Sequence, residues 1–320
     1  MVITLRGVIL DQGGIGTDLD YTPLQQQLSS LQMYAASQPE QLVERLHEAE
    51  VAISTKVYLG RETLEQSPSL KLICIAATGT NNVDLETAHA LGIQVCNVTA
   101  YATPSVVEHT FSLILALMRN FTAYQRDVAK GAWQCSEHFC LLDHSIAELA
   151  GKKLGIIGYG ELGKAVANVG RAFGMEVLIA KSFVNSDKND DRIELDELLS
   201  QVDVLSLHCP LTDETRDLIN REKLALMKKT AIIINTARGG IVNEQALIDA
   251  LRNNKLGGAA IDVLTTEPPT HNDVLLTASL ANLIITPHIA WASREARQRL
   301  VNEMALNIQA FSNGQQRNAV

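Results

Sequence analysis

Hydrophobic residues fall in short runs separated by polar or amphipathic stretches, and the rhythm of those runs sets the expected fold. In the first part of the chain "RGVILD", "EVAISTK", "LKLICIAATG" and "IQVCNV" are strand-like, with amphipathic intervals such as Pro39 to Ala49 between them. This βα alternation predicts a parallel sheet with helices on its faces. The pattern changes at "TPSVVEHTFSLILALMRN", where Thr103 is a candidate N-cap and Pro104 suits the first helical position. The residues that follow are apolar nearly all round, which predicts a deeply buried helix at a domain or subunit interface. Beyond it come "KKLGIIG", "EVLIA", "VDVLSLH", "AIIINTA", "GGAAIDV" and "NLIITPH", enough strands for a complete doubly wound sheet. The helical stretch "SREARQRLVNEMALNIQAF" comes too late for that sheet and is predicted to return to the first domain.

Composition narrows the picture. A chain of 320 residues has room for two domains, each with its own core. The net charge of −9 gives no support to a polyanion partner, so nucleic acid is not expected. Cys74, Cys96, Cys135, Cys140 and Cys209 lack CxxC spacing and read as buried or incidental thiols of a reducing compartment, with no metal site. The longest apolar run, "FSLILALM", is too short to span a bilayer, and no basic stretch precedes an apolar leader. A cytoplasmic protein without membrane contact is the expectation.

Candidate chemistry starts at "KKLGIIGYGELGKAVANVGRAFG", where Gly158, Gly160 and Gly163 form GxGxxG between a strand and an amphipathic helix. The first glycine permits a tight turn, the second lets the backbone approach a pyrophosphate, and the third allows close helix packing. This predicts a Rossmann dinucleotide-binding domain over residues 101–289. The discontinuous partner domain, residues 1–100 and 290–320, would bind substrate, with the active-site cleft between the two. The next strand, "EVLIA", ends in Lys181 and Ser182 rather than in the acid that would bind the adenosine ribose hydroxyls of NAD. An ammonium and a hydroxyl there favour the 2′-phosphate of NADP(H) over NAD(H). A solvated loop lysine is the other role open to Lys181.

In an open parallel sheet, ligands bind outside the carboxyl ends of the strands. Residues just past those ends are His208, Cys209 and Pro210; Thr236, Ala237 and Arg238; Asp262, with Glu267 beyond; and His288 after Pro287. Hydride transfer to a ketone leaves an alkoxide that needs a proton, which a histidine supplies near neutral pH, so His288 is the candidate acid/base. Glu267 would favour its imidazolium and fix its orientation. Arg238 could grip the carboxylate of a 2-oxo acid and polarise its carbonyl. His208 is assigned to the lining of the adenosine side.

The motifs "GIIGYGELG", "HCPLTDETRDLI", "INTARGGIVNEQAL", "GAAIDVLTTEP" and "TPHIAWASREAR" together resemble the D-isomer-specific 2-hydroxyacid dehydrogenases across nearly the whole chain. "PHIAWAS" and "GAWQCSEHFCLL" bring it nearest to the hydroxypyruvate reductases, also called glycerate dehydrogenases, and to glyoxylate reductases. The resemblance implies a flavodoxin-like substrate domain and NAD(P)H-dependent reduction of hydroxypyruvate or glyoxylate to the D-2-hydroxy acid. It implies Arg238, Glu267 and His288 as the substrate arginine, the histidine's carboxylate partner and the acid/base. Thr78 and Gly79 would hold the substrate carboxylate through backbone amides, and Lys56 would face the cleft from a second loop. Cofactor contacts are implied for Val106, Thr110, Glu161, Leu162, Cys209, Pro210, Thr215, Thr236, Ala237, Asp262 and Ala290, with Asp262 at the nicotinamide carboxamide. A homodimer is implied as well, with Trp133 to Leu142 resembling an arm that reaches the partner. Phosphoglycerate dehydrogenase, or a dinucleotide-sensing binding protein like the corepressors on this fold, are the alternatives.

Overall fold

A computed structural model describes residues 5–182 and 191–320. The chain forms two compact units, one running up to Ala102 and resuming at Trp291–Val320, the other Thr103–Ala290.

The first unit is a five-stranded parallel sheet of β1 (Arg6–Ile9), β2 (Ser30–Met33), β3 (Val51–Ser54), β4 (Leu72–Ile75) and β5 (Gln94–Cys96), in the order β2-β1-β3-β4-β5. That is the flavodoxin-like order, in which the topological switch point lies between β1 and β3. Ile9 pairs with Ile53 across it. β3 and β4 are buried throughout, as strands covered on both faces must be. β2 is the exception, an edge strand of sequence SLQM with largely exposed residues. No apolar run marks it, which is why the hydrophobic pattern alone passes over it. The C-terminal helix Arg294–Ser312 packs on β4 and on the helix Thr22–Gln25. It is anchored by a bidentate Arg297–Asp18 pair at 2.6 and 3.0 Å.

The second unit holds β6 (Lys153–Ile157), β7 (Glu176–Ile179), β8 (Val204–Leu207), β9 (Ile232–Asn235), β10 (Gly258–Ile261) and β11 (Leu283–Ile285), all parallel, in the order β11-β10-β9-β8-β6-β7. A single parallel bridge from Ala180 to Ile193 extends the sheet past β7. Order reverses between β6 and β8, so the ligand crevice of this sheet is expected where β6 ends, at the glycine motif. Two apolar clusters cover its faces, one around Leu205, Ile233 and Leu247, the other around Phe111, Ile156 and Val166.

The helix Thr103–Met118 departs from the expected all-round burial. Pro104, Glu108 and Ser112 form an exposed stripe opposite Val106, Val107, Thr110, Phe111 and Ile114. Thr103 is its first residue rather than a cap, and its hydroxyl donates to the Glu161 carboxylate. Among the described residues no helix is long and apolar enough to cross a membrane. Cys74, Cys96 and Cys209 are buried free thiols, and Cys135 is an exposed one.

Candidate active site

At the end of β6, Gly158 adopts φ +89°, a left-handed conformation that disfavours a side chain, and a Cβ there would fall 2.5 Å from the Cys209 amide. Gly160 faces the other way, with nothing within 4 Å of where its Cβ would stand. It is also the N-cap of the twelve-residue helix Glu161–Ala172 and makes no side-chain cap. Open space at the head of a helix, against amides that lack a cap, suits a pyrophosphate, so the motif fits a dinucleotide. Glu161 is exposed and Leu162 half-buried on the first turn.

β7 leads directly to Lys181, whose ammonium meets Glu194 Oε1 at 2.5 Å. Glu194 sits past the bridge that pairs Ala180 with Ile193, so strand pairing places an acid from further along the chain beside the lysine. Ser182 follows, exposed. Arg192 brings a second cation to the neighbourhood, 5.9 Å from the Tyr159 ring centroid.

Past β8, the ring of His208 is held by Ser206 Oγ at 2.8 Å, while its buried Nδ1 has no partner among the described residues. Burial pushes the imidazole down to about 4, so it is neutral at physiological pH and unsuited to donate a proton. Unfolded, the ring protonates near 6.5; folded, only at about 4. Its contribution to stability is therefore complete above pH 6.5 and is lost as pH falls toward 4. The residue as a whole is half-buried, which discounts the loss to the order of 2 kcal/mol. The urea midpoint of the wild type should fall over this window more than that of His208→Gln; equal slopes would remove His208 as the cause. Burial likewise raises the Cys209 thiol to about 11, keeping it protonated. Pro210 is exposed. Thr215 is turned inward, its hydroxyl donating to Pro210 O at 2.7 Å and accepting from the Thr212 amide at 2.7 Å.

β9 ends in Asn235, a buried polar residue that the motif reading passed over. Its side chain accepts from the Ala237 amide at 3.0 Å and donates to Arg238 O at 2.9 Å, so it sets the turn that presents Arg238. Arg238 itself is exposed, and one guanidinium N–H donates to Ala237 O at 2.7 Å. Next to it, a Cβ on Gly239 would lie 1.9 Å from Leu264 O, so only glycine lets this turn rest on the segment after β10. The Leu264 amide donates to Glu267 Oε1 at 2.9 Å. The turn bearing Arg238 and the carboxylate of Glu267 are thus built against the same stretch of backbone.

Glu267 Oε2 then meets His288 Nδ1 at 2.6 Å. His288 has φ +54°, and its turn is held from below by Asp262, which is almost wholly buried. Asp262 accepts from Thr286 Oγ1 at 2.5 Å and from the Ile289 and Ala290 amides at 2.9 Å each. His109 reaches Thr286 Oγ1 at 3.1 Å from the long helix. Burial pushes the Asp262 carboxyl up, but the bonds from His109, Thr286, Ala290 and Ile289 together outweigh it and hold the group below its ordinary value. In the structure, then, Asp262 and Ala290 act on the turn that carries His288; Ala290 O also accepts from Ser105 Oγ at 2.8 Å. Val106 and Thr110 are buried, and the Thr110 hydroxyl lies 3.3 Å from that of Thr236.

In the first unit, the loop after β4 contains Thr78 and Gly79. Thr78 Oγ1 donates to Val98 O at 2.9 Å and Asn97 Nδ2 donates to Thr78 O at 2.8 Å, while the Thr78 and Gly79 amides donate to no protein group among the described residues. Lys56 lies exposed in the loop after β3.

Residues 111–290 match the family described as D-isomer specific 2-hydroxyacid dehydrogenase, NAD binding domain. The glycerate dehydrogenase of Methylorubrum extorquens is 47% identical over 282 residues, covering 88% of each chain. The chain belongs to the D-isomer-specific 2-hydroxyacid dehydrogenase family. The hydroxypyruvate reductase of Blautia hydrogenotrophica is 37% identical over 100% of this chain and 99% of its own. A D-lactate dehydrogenase of Aquifex aeolicus, solved with NAD and lactic acid, shares 32% identity with a TM-score of 0.79, over 97% of this chain and 96% of its own. As a member of this family the chain is a nicotinamide-dinucleotide oxidoreductase of small 2-oxo and 2-hydroxy acids.

Proposed function

We propose that the enzyme reduces hydroxypyruvate and glyoxylate to D-glycerate and glycolate, with NADPH preferred to NADH. The observation that carries the reading is the Glu267–His288 pair at 2.6 Å, set beside the turn that presents Arg238. The relatives named glycerate dehydrogenase and hydroxypyruvate reductase support the choice of substrates.

The Gly158–Gly163 turn would hold the dinucleotide, which would supply the hydride. Arg238 binds the substrate carboxylate through its guanidinium and polarises the carbonyl, while the Thr78 and Gly79 amides and Lys56 complete recognition of the acid. With Nδ1 engaged by Glu267, His288 delivers its proton from Nε2 to the developing alkoxide, and the carboxylate fixes the orientation of the ring. Wild-type turnover on hydroxypyruvate, glyoxylate, pyruvate and 3-phosphoglycerate, each with both dinucleotides, tests the reading. A preference for 3-phosphoglycerate, or cofactor binding without turnover, would overturn it.

The preference for NADPH is supported by Lys181 and by Arg192 nearby. The Lys181–Glu194 pair joins two exposed side chains, and such pairs are worth less than about 1 kcal/mol. A 2′-phosphate can therefore compete for the ammonium. Lys181→Asp is expected to lower the NADPH/NADH ratio of kcat/KM by roughly tenfold or more, with kcat on the better cofactor little changed. An unchanged ratio would make Lys181 a solvated loop residue. We further propose a cytoplasmic homodimer; the exposure of Trp133, Phe139 and Leu142 on one segment supports a partner there.

A further inference from the structure

Asp11 lies two residues past the end of β1 and stands at the N-cap of the helix Gln12–Ile15. An aspartate in that position ordinarily turns its carboxylate onto the amides of its own helix. Here it makes no side-chain cap. The carboxylate instead crosses the β1/β3 switch point and takes up the loop after β3. It accepts from the Thr55 amide at 2.9 and 3.0 Å, from Lys56 at 2.7 Å and, more weakly, from Val57 at 3.3 Å. Three successive amides pointing at one carboxylate form a nest, the backbone arrangement that binds anions. The crevice where this sheet order would receive an external anion is thus filled by the chain's own.

Two consequences follow from the atoms involved. The amides of Thr55, Lys56 and Val57 are already engaged, so this loop can recognise a substrate only through side chains. Its side chain with charge to offer is that of Lys56, which is exposed and whose ammonium makes no ion pair or hydrogen bond among the described residues. In the loop after β4 the reverse holds, since the Thr78 and Gly79 amides are not engaged.

We infer that Asp11 is a positioning residue for substrate recognition: as an internal anion it fixes the Thr55–Val57 loop and so sets where Lys56 stands. The inference rests on the proposed 2-oxo acid reductase activity. Asp11→Asn keeps the shape but loses the charge and one acceptor oxygen, which weakens the grip on the three amides. The KM for glyoxylate is expected to rise roughly tenfold. The cofactor KM should stay unchanged, and kcat per folded enzyme should change far less than the substrate KM. A merely structural role would instead lower the melting temperature and the amount of active enzyme while leaving the substrate KM in place; that result would overturn the proposal.

Lys56→Met, on an exposed side chain, gives a second arm that does not depend on Asp11 variants folding. It should raise the same KM by a similar factor, and in the Asp11→Asn background it should add little. A Lys56→Met effect below about twofold, or full additivity of the two, would overturn the proposal as well. If the wild type itself fails on every 2-oxo acid, the functional reading falls; if it turns over normally and Asp11→Asn keeps its substrate KM, only this inference does.

Discussion

His288→Ala is expected to lower kcat with hydroxypyruvate by about a thousandfold while leaving cofactor affinity within about twofold. In the proposed mechanism, loss of this acid removes the proton source for the alkoxide, and the other histidines near the turn are not suited to replace it. His208 is neutral at working pH, because burial holds it near 4. His109 is engaged by Thr286 and Asp262. The glycine motif and Lys181 lie on other strand ends, so the dinucleotide keeps its contacts. Stopped-flow binding of NADPH together with steady-state turnover measures both halves. A variant with near-wild-type kcat would remove His288 from the chemistry; lost turnover together with lost cofactor binding would make the effect structural.

Arg238→Ala is expected to reduce kcat/KM by two to three orders of magnitude, about 3 to 4 kcal/mol of transition-state stabilisation. Both parameters should move, because one guanidinium is asked to bind the carboxylate in the ground state and to polarise the carbonyl as charge develops. Arg238→Lys should recover little, since a single ammonium cannot form the two parallel bonds of the planar fork. Arg238 contributes few contacts to the fold: it is exposed, its side chain makes one bond to Ala237 O, and Asn235 holds the turn on its own. A change confined to cofactor KM would contradict its assignment.

Strands with continuous apolar runs are legible in the sequence, and ten of the eleven among the described residues follow the hydrophobic pattern. β2 is not, because SLQM is an exposed edge that needs no apolar face. The long helix looked buried all round because Leu115, Ala116 and Leu117 are apolar but only partly covered, while the polar stripe at Glu108 and Ser112 is short. In the candidate site, Arg238, Glu267 and His288 are named from residue type at a strand end, and the structure pairs Glu267 with His288. Residues that act by holding backbone cannot be named in this way. Asp11, Asn235 and Thr286 each look like an ordinary turn residue until the amides and carbonyls around them have positions. A polar residue closing a fully apolar strand, as in "AIIIN", was the available signal for Asn235. Glu194 carried none, since its meeting with Lys181 depends on a bridge made beyond the end of β7.

The left-handed backbone at His288 has a thermodynamic meaning of its own. For a residue with a side chain, φ near +54° is disfavoured by roughly 1 kcal/mol, so the folded chain gives up stability at the residue proposed to move the proton. Asp262 offsets that strain with bonds made on folding, before any substrate arrives. If His288 is the proposed acid, its turn is therefore set on folding, and the enzyme should not have to rebuild it on each catalytic cycle.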